Sequence, residues 1–209
     1  KIKKIGNLKF ISNNEDKFIE VDTTLIKILG SRKFWCASST HPGEEFICSK
    51  VHINLKKKYK NFLTIIIPRH THRTNKIIRE IESLNLKVVT HSSRPKNLKD
   101  VDIYLVDTYG ETKKFYQASN IVFMGKSLAG MGGQNPLEPA SHGSAVLYGP
   151  NINNFTDTYK LLDKLKITYK VNGVNNLTSM INRLIIKPNN HKNYLKIEKM
   201  GKKILNETK

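Results

Sequence analysis

Acidic residues are what this chain is short of. Its 209 residues hold 17 Asp and Glu against 36 Lys and Arg, a formal net charge of +19. Such a surplus implies a polyanionic neighbour: nucleic acid, an anionic lipid surface or a phosphorylated substrate. It does not choose among them, because most of the excess is Lys spread along the chain among many Asn and Ile. Cysteine is scarce too. Cys36 and Cys48 form no C-x-x-C pair, so two reduced, buried thiols are expected rather than a disulfide framework. No apolar run is long enough to span a bilayer, and no apolar segment of a signal peptide follows the Lys-rich start. The chain begins with Lys1 rather than Met and is expected to be a fragment or a processed product. Neither G-x-G-x-x-G after the first strand nor G-x-x-x-x-G-K-[ST] occurs, which argues against the dinucleotide fingerprint and the P-loop.

What is present centres on Met124 to Gly143, M-G-K-S-L-A-G-M-G-G-Q-N-P-L-E-P-A-S-H-G. An apolar strand, Asn120 to Met124, leads into a loop carrying Gly125, Gly130, Gly132 and Gly133. Asn135-Pro136-Leu137-Glu138 then opens a short helix, with Asn135 as N-cap and Pro136 at the first helical position. Glycines let backbone approach a ligand, and a helix start offers free N–H groups and partial positive charge. The stretch therefore reads as a cradle for an anion. The loop amides are expected on a phosphate and Glu138 on a sugar hydroxyl pair. An ordinary capping box of Asn135 and Glu138 accounts for the same residues equally well.

Along the chain, strands and helices alternate. A short strand is expected within Lys3 to Ile11, a polar break over Asn13 to Lys17, a helix over Thr23 to Leu29 and a buried strand over Phe34 to Ala37. Ser38-Ser39-Thr40-His41-Pro42-Gly43-Glu44-Glu45 reads as a loop and helix start, and the helix should run to about Lys57. Phe62 to Ile67 is a continuous β-branched run of the kind found in central parallel strands, and it ends in Pro68-Arg69-His70-Thr71-His72-Arg73. An arginine there sits where open α/β sheets bind ligands and can fork onto a phosphate or carboxylate. His70 and His72 lack a Cys or carboxylate partner at ligand-like spacing, so no metal is expected. A helix over Thr74 to Leu84, a strand over Leu86 to Thr90 and a strand over Asp102 to Val106 follow. The last of these leads to Asp107-Thr108-Tyr109-Gly110-Glu111 and a helix over Glu111 to Ala118. Further on lie a strand at Ala145 to Tyr148, a helix at Phe155 to Leu165, an edge strand at Thr168 to Val171, and helices at Asn175 to Ile186 and Tyr194 to Leu205. The alternation predicts an α/β, Rossmann-like doubly wound parallel sheet with every candidate loop on one rim.

Five segments in this order carry a family resemblance: Gly6-Asn7-Leu8-Lys9-Phe10; Ala37 through Glu45; Pro68-Arg69-His70; Asp107 through Glu111; and Gly132 through Ala140. Together they resemble the carboxy-terminal half of 3-deoxy-D-manno-octulosonic acid (Kdo) transferases, which have the two-domain GT-B glycosyltransferase fold and move Kdo from CMP-Kdo to the lipid A precursor. The resemblance covers Lys1 to about Phe155. It implies that CMP is contacted by Pro68 and Arg69, by Tyr109, Gly110 and Glu111, and by Asn135, Pro136, Leu137 and Glu138. Ser39, Thr40 and Lys126 are added as partners for a phosphate or the Kdo carboxylate. Lys126 stands where the family usually has a small residue, and Gln134 where His is common.

The resemblance further implies CMP-Kdo as donor substrate, no cofactor and no metal, and no nucleic acid as partner. The catalytic base, the lipid A precursor contacts and the membrane anchor belong to an amino-terminal domain, so the 209 residues alone should bind CMP without transferring sugar. The expected division is a donor-binding domain over 1–187 and a C-terminal helix over 188–209 packing toward that other domain. The expected location is the cytoplasmic face of the bacterial inner membrane, with the positive surface toward anionic lipid. Two other readings stay open on the residues alone: a GT-B transferase for another nucleotide sugar, and a basic nucleic-acid-binding module.

Overall fold

The computed structural model describes residues 23–188 and 193–200. The strand expected within Lys3 to Ile11, the polar break after it, the family segment Gly6 to Phe10 and the far end of the last expected helix lie outside them. The elements run α1 (Thr23–Leu29), β1 (Lys33–Thr40), α2 (Glu44–Lys56), β2 (Phe62–Pro68), a 3-10 turn (Thr71–Arg73), α3 (Thr74–Glu82), β3 (Val88–Thr90), β4 (Ile103–Leu105), α4 (Thr112–Ala118), β5 (Ile121–Met124), α5 (Leu137–Ser141), β6 (Ala145–Tyr148), a second 3-10 turn (Asn153–Phe155), α6 (Thr156–Lys164), β7 (Thr168–Lys170) and α7 (Val174–Ile186). Residues 193–200 are helical.

The seven strands form one sheet in the order β3-β4-β2-β1-β5-β6-β7, and every neighbouring pair is parallel. This is the doubly wound sheet that the alternation implies. Both faces are covered, so the strands read as apolar runs rather than as alternating sequence. One face packs Cys36, Leu63, Ile65, Val122 and Val146 with Phe115, Tyr116, Leu162 and Ile197. The other packs Trp35, Ile66, Phe123 and Leu147 with Val51, Ile77 and Ile181. Each large side chain fully removed from water contributes about 1.5–3 kcal/mol, and this burial is what holds helices to the sheet. Cys36 and Cys48 are free and buried within it, and burial pushes both thiols well up.

The chain builds outward from β1 to β2 and then returns past β1 to lay down β5, so the sheet switches direction between β1 and β5. Two expectations change there. The first strand does not stop at Ala37 but continues through Ser38, Ser39 and Thr40. Ser38 and Thr40 can be buried in this strand because each finds a partner: Ser38 Oγ lies 2.7 Å from Tyr116 Oη, and Thr40 Oγ1 donates to Glu45 Oε1 at 2.9 Å. Pairing with β2 slips between Ser38 and Thr40, where Ser39 takes a left-handed φ of 54°. The helix that follows starts later than Pro42 suggests. Gly43, at φ 90°, is its N-cap, and no hydroxyl from Ser38 to Thr40 caps it.

Glu44 does more at that helix start than favour the dipole. Its carboxylate, fully buried, accepts hydrogen bonds from His41 N (2.9 Å), Lys126 N (2.7 Å), Ser127 N (3.0 Å), Leu128 N (2.9 Å) and Ala129 N (3.4 Å). One side chain on α2 thereby clamps the loop after β5 to the loop after β1. The clamp needs the two backbones in close contact. A Cβ at Gly125 would stand 2.3 Å from the Ser39 carbonyl oxygen, so no other residue fits. Gly125 serves chain against chain, not chain against ligand as the sequence suggested.

The opposite, amino-end edge of the sheet has its own polar network. Trp35 Nε1 donates to Thr64 Oγ1, which meets His52 Nδ1 at 3.0 Å, and His52 Nε2 meets Asp102 Oδ1 at 3.2 Å. Asp102 also takes Lys56 Nζ and the Lys87 N–H. The strand expected to begin at Asp102 begins at Ile103 because Asp102 is committed to this network.

Two outcomes are expected. Glu44→Gln, which turns an amide donor toward amide donors, should lower unfolding stability by about 3 kcal/mol; an unchanged urea midpoint would show that the loop does not depend on the clamp. For Asp102, burial pushes the carboxyl up, but hydrogen bonds from His52, Lys56 and the Lys87 N–H outweigh this and hold it well below the usual carboxylate range. A carboxyl lowered on folding stabilises above its unfolded pKa of about 3.9 and loses that contribution as pH falls toward its folded value. Denaturation midpoints should therefore fall below about pH 4, and Asp102→Asn should lose stability at pH 7 while flattening that acid dependence.

Candidate functional site

Every loop singled out in the sequence within the described residues leaves the carboxyl end of a strand. Pro68 and Arg69 end β2, Tyr109 to Glu111 follow β4, Ser39 and Thr40 end β1, and Lys126 and Asn135 to Glu138 follow β5. These are four consecutive strands, β4-β2-β1-β5, flanking the switch point. Three inter-strand gaps of about 4.8 Å make the rim roughly 14 Å wide, the span of a nucleotide monophosphate with a sugar. Ligands of open α/β sheets bind at this place.

The rim is held from below. Arg69 N donates to the Thr40 carbonyl at 3.0 Å, joining the ends of β2 and β1. Glu45, fully buried beside Glu44, binds Arg73 through both oxygens, at 2.9 and 3.1 Å. Arg73 is thus a neutralised frame residue, while Arg69 is exposed and its guanidinium makes no hydrogen bond or ion pair among the described residues. Arg69 and Arg73 look alike in sequence; only packing separates the available cation from the committed one.

On the β4 side, Tyr109 is 73% exposed and Gly110 has φ 84°. The helix expected to begin at Glu111 begins at Thr112, with Glu111 as its N-cap. The Glu111 carboxylate lies 2.9 Å from Lys114 Nζ and 4.0 Å from His91 Nε2. Asp107 accepts from the Ser92 N–H at 2.8 Å and from its hydroxyl at 2.5 Å, drawing the loop after β3 alongside. Between this corner and α1 lies a cavity of about 750 Å³ lined by Lys27, His91, Arg94, Tyr104, Thr108 and Glu111.

On the β5 side the expected cap shifts by one residue. Pro136 is the N-cap of α5, and Asn135 contributes through its side chain, whose Oδ1 accepts the Leu137 N–H at 3.1 Å. Glu138 is exposed on the first turn. The glycine loop itself is pinned: Gly133 N donates to the Lys126 carbonyl, Asn154 N to the Gly132 carbonyl, and Tyr159 Oη to the Gln134 carbonyl. Met131, 77% exposed, is its crest.

Two sequence expectations need correction. The amides of residues 126–129 do not face a phosphate; they turn inward onto Glu44. Thr40 is fully buried with its one hydroxyl proton on Glu45, so it frames the rim rather than offering a donor to a ligand. Ser39 and Lys126 remain partly exposed, and both hold left-handed backbone, φ 54° and 58°. Such conformations are disfavoured for residues with a Cβ and persist where the surroundings over-determine them. Among the described residues no group of three or more His, Cys, Asp or Glu is arranged to hold a metal, and no helix is long and apolar enough to cross a membrane.

Sequence reading missed His41. It stands between the two loops that carry the available cations, with Lys126 on one side and the His70 ring 5.6 Å away on the other. The loop from Ser38 to Glu45 reads as having anion-binding potential, with ordinary helix capping as the plainer account, but the sequence assigns His41 itself no role.

No family model matches the chain. Among curated proteins, it is 31% identical over 169 residues to a 3-deoxy-D-manno-octulosonic acid transferase of Haemophilus influenzae, covering 80% of this chain and 40% of that one. It is 32% identical over 212 residues to the transferase of the same name from Rickettsia felis, covering 97% of this chain and 45% of the relative. The chain thus spans less than half the length of these two relatives. Among solved structures, the C-terminal CMP-Kdo binding domain of WaaA from Acinetobacter baumannii superposes with a TM-score of 0.78 at 21% identity, covering 95% of this chain and 99% of that one. By sequence this chain is similar to Kdo transferases over less than half of their length, and it shares the fold of the C-terminal CMP-Kdo binding domain of WaaA.

Proposed function

We propose that the chain is the donor-binding half of an enzyme that transfers Kdo from CMP-Kdo to the lipid A precursor. The observation that carries this is the convergence of three segments, Pro68-Arg69, Tyr109-Gly110-Glu111 and Asn135 to Glu138, on one rim across the switch point. The available Arg69 guanidinium takes the phosphate that leaves with CMP, since its fork of donors stabilises charge developing on the leaving oxygens. The exposed Glu138 carboxylate accepts from the ribose hydroxyls. Ser39 and Lys126, held in fixed left-handed geometry above the clamp, face the Kdo carboxylate. Deprotonation of the acceptor hydroxyl and acceptor binding fall to the remaining part of the protein.

The shared fold extends to a UDP-forming trehalose-phosphate synthase, which keeps a UDP-sugar donor as the second reading. The two differ in the number of phosphates to be seated. Calorimetric titration should give binding of CMP with weaker binding of UMP and UDP. Arg69→Ala should weaken CMP about 10- to 100-fold, the scale of one charged hydrogen-bonding group, and Glu138→Gln should weaken it less. A preference for UDP over CMP overturns the donor assignment. Undiminished affinity in both variants overturns the contact residues.

The net charge of +19 fits a working position against anionic lipid at the cytoplasmic face of the inner membrane. In flotation, the chain should rise with vesicles containing phosphatidylglycerol and stay behind with phosphatidylcholine alone. Equal behaviour with both removes lipid as the reason for the charge.

A further inference from the structure

One partly buried titratable group at the rim has no role in the contacts just assigned. The His41 Nε2 atom is shielded from solvent and has no hydrogen-bond partner among the described residues. A buried polar nitrogen left unpaired costs free energy, and such groups in native proteins call for an explanation. The surroundings are unusual for a structural histidine. From α2, Glu44 and Glu45 face it, but Glu44 is taken by five N–H groups and Glu45 by Arg73 and Thr40. From the loop after β5 comes Lys126, and from the segment after β2 comes the His70 ring, edge-on at 5.6 Å, with His72 another 5.6 Å beyond. Both nearby carboxylates are therefore satisfied elsewhere, and the remaining neighbours are cationic or can become so. A protonated imidazole in this place has no anion hydrogen-bonded at Nε2 among the described residues. An incoming anion between Arg69 and Lys126 would supply one.

We propose that His41 binds the phosphate of the donor's leaving nucleoside monophosphate as an imidazolium, taking up a proton when the anion arrives. The inference rests on the donor reading above and adds the residue that makes donor binding proton-linked. In the free protein, burial holds the imidazole below its ordinary pKa. Lys126 and His70 act in the same direction, and Glu44 and Glu45 oppose them. His41 is consequently neutral at pH 7.5. A dianionic phosphate beside Nε2 raises its affinity for a proton, so anion and proton bind together. The donor's phosphate is a singly charged diester that becomes a dianion as the sugar leaves, so the imidazolium holds the leaving nucleotide most tightly, and the proton departs when the nucleotide does. Binding and release of the nucleotide are thereby tied to one side chain.

The test is calorimetry with CMP at pH 7.5, above the second phosphate pKa of about 6, in two buffers of different ionisation enthalpy. The expected result for the wild-type chain is uptake of roughly 0.5–1 proton per CMP, with affinity weakening toward tenfold per pH unit above pH 7. His41→Gln should bind CMP more weakly, take up no proton and lose the pH dependence. The His70→Gln/His72→Gln double variant should keep the uptake, which separates His41 from the exposed imidazoles beside it. Wild-type CMP binding with no proton exchange overturns the proposal and leaves the donor reading standing, and this arm needs no variant to fold. Uptake that persists in His41→Gln, or vanishes in the double variant, also overturns it. Absence of CMP binding by the wild type overturns the donor reading and this inference with it.

Discussion

A single buried carboxylate holds the rim of this sheet in shape. Glu44 sits at the first turn of α2, where the helix dipole favours negative charge, and draws in N–H groups from its own loop and from four successive residues after β5. Backbone donors converging on an anion are what phosphate sites are made of. Here the protein supplies the anion itself. The result is a preorganised floor on which Lys126 and Ser39 are held in conformations they would not adopt alone. Removing the charge would leave several buried donors unpaired at once, which is why the rest of the rim depends on it.

Around that floor, charge is sorted by packing. Arg73 and Glu45 neutralise each other in a bidentate pair below the surface, and Thr40 closes the remaining position on Glu45. Arg69, four residues earlier, emerges exposed at the end of a fully buried strand, and its guanidinium makes no hydrogen bond or ion pair among the described residues. The rim therefore presents few cations, each in a defined place, although the chain as a whole is strongly basic. Net charge says little about this site; most of the surplus lies elsewhere on the surface.

The division between the two ends of the sheet follows the same physics. At the amino edge, His52, Thr64, Trp35, Lys56 and Asp102 form a closed network whose members satisfy one another. Such a network stabilises and specifies, and it offers nothing to a ligand. At the carboxyl rim, the Arg69 guanidinium and His41 Nε2 have no hydrogen-bond partner among the described residues. Arg32 Nε and Ser119 Oγ are also buried without a partner among the described residues at the amino end, so what distinguishes the carboxyl rim is an exposed cation beside an unpaired imidazole nitrogen.

The sequence by itself determined the layer architecture and the location of the loops. Continuous β-branched runs such as Phe62 to Ile67 and amphipathic helices such as Thr74 to Glu82 are local patterns, and burial on both faces of a parallel sheet leaves no other arrangement for them. The identity of the strand-end loops follows from that alternation; the strand order, and with it the switch point between β1 and β5, does not. What only the tertiary structure decided was which polar groups at those loops are already taken. Glu44 reaches residues more than eighty positions away, Arg73 finds Glu45 across twenty-eight, and Gly125 answers to the carbonyl of Ser39. The first and last of these join segments that meet only when β5 is laid beside β1, and the second forms where the segment after β2 packs on α2. Capping rules, which see three or four neighbours along the chain, give Glu44 only a local duty at the helix start, and the sequence offered Gly125 to a ligand and Arg73 no role.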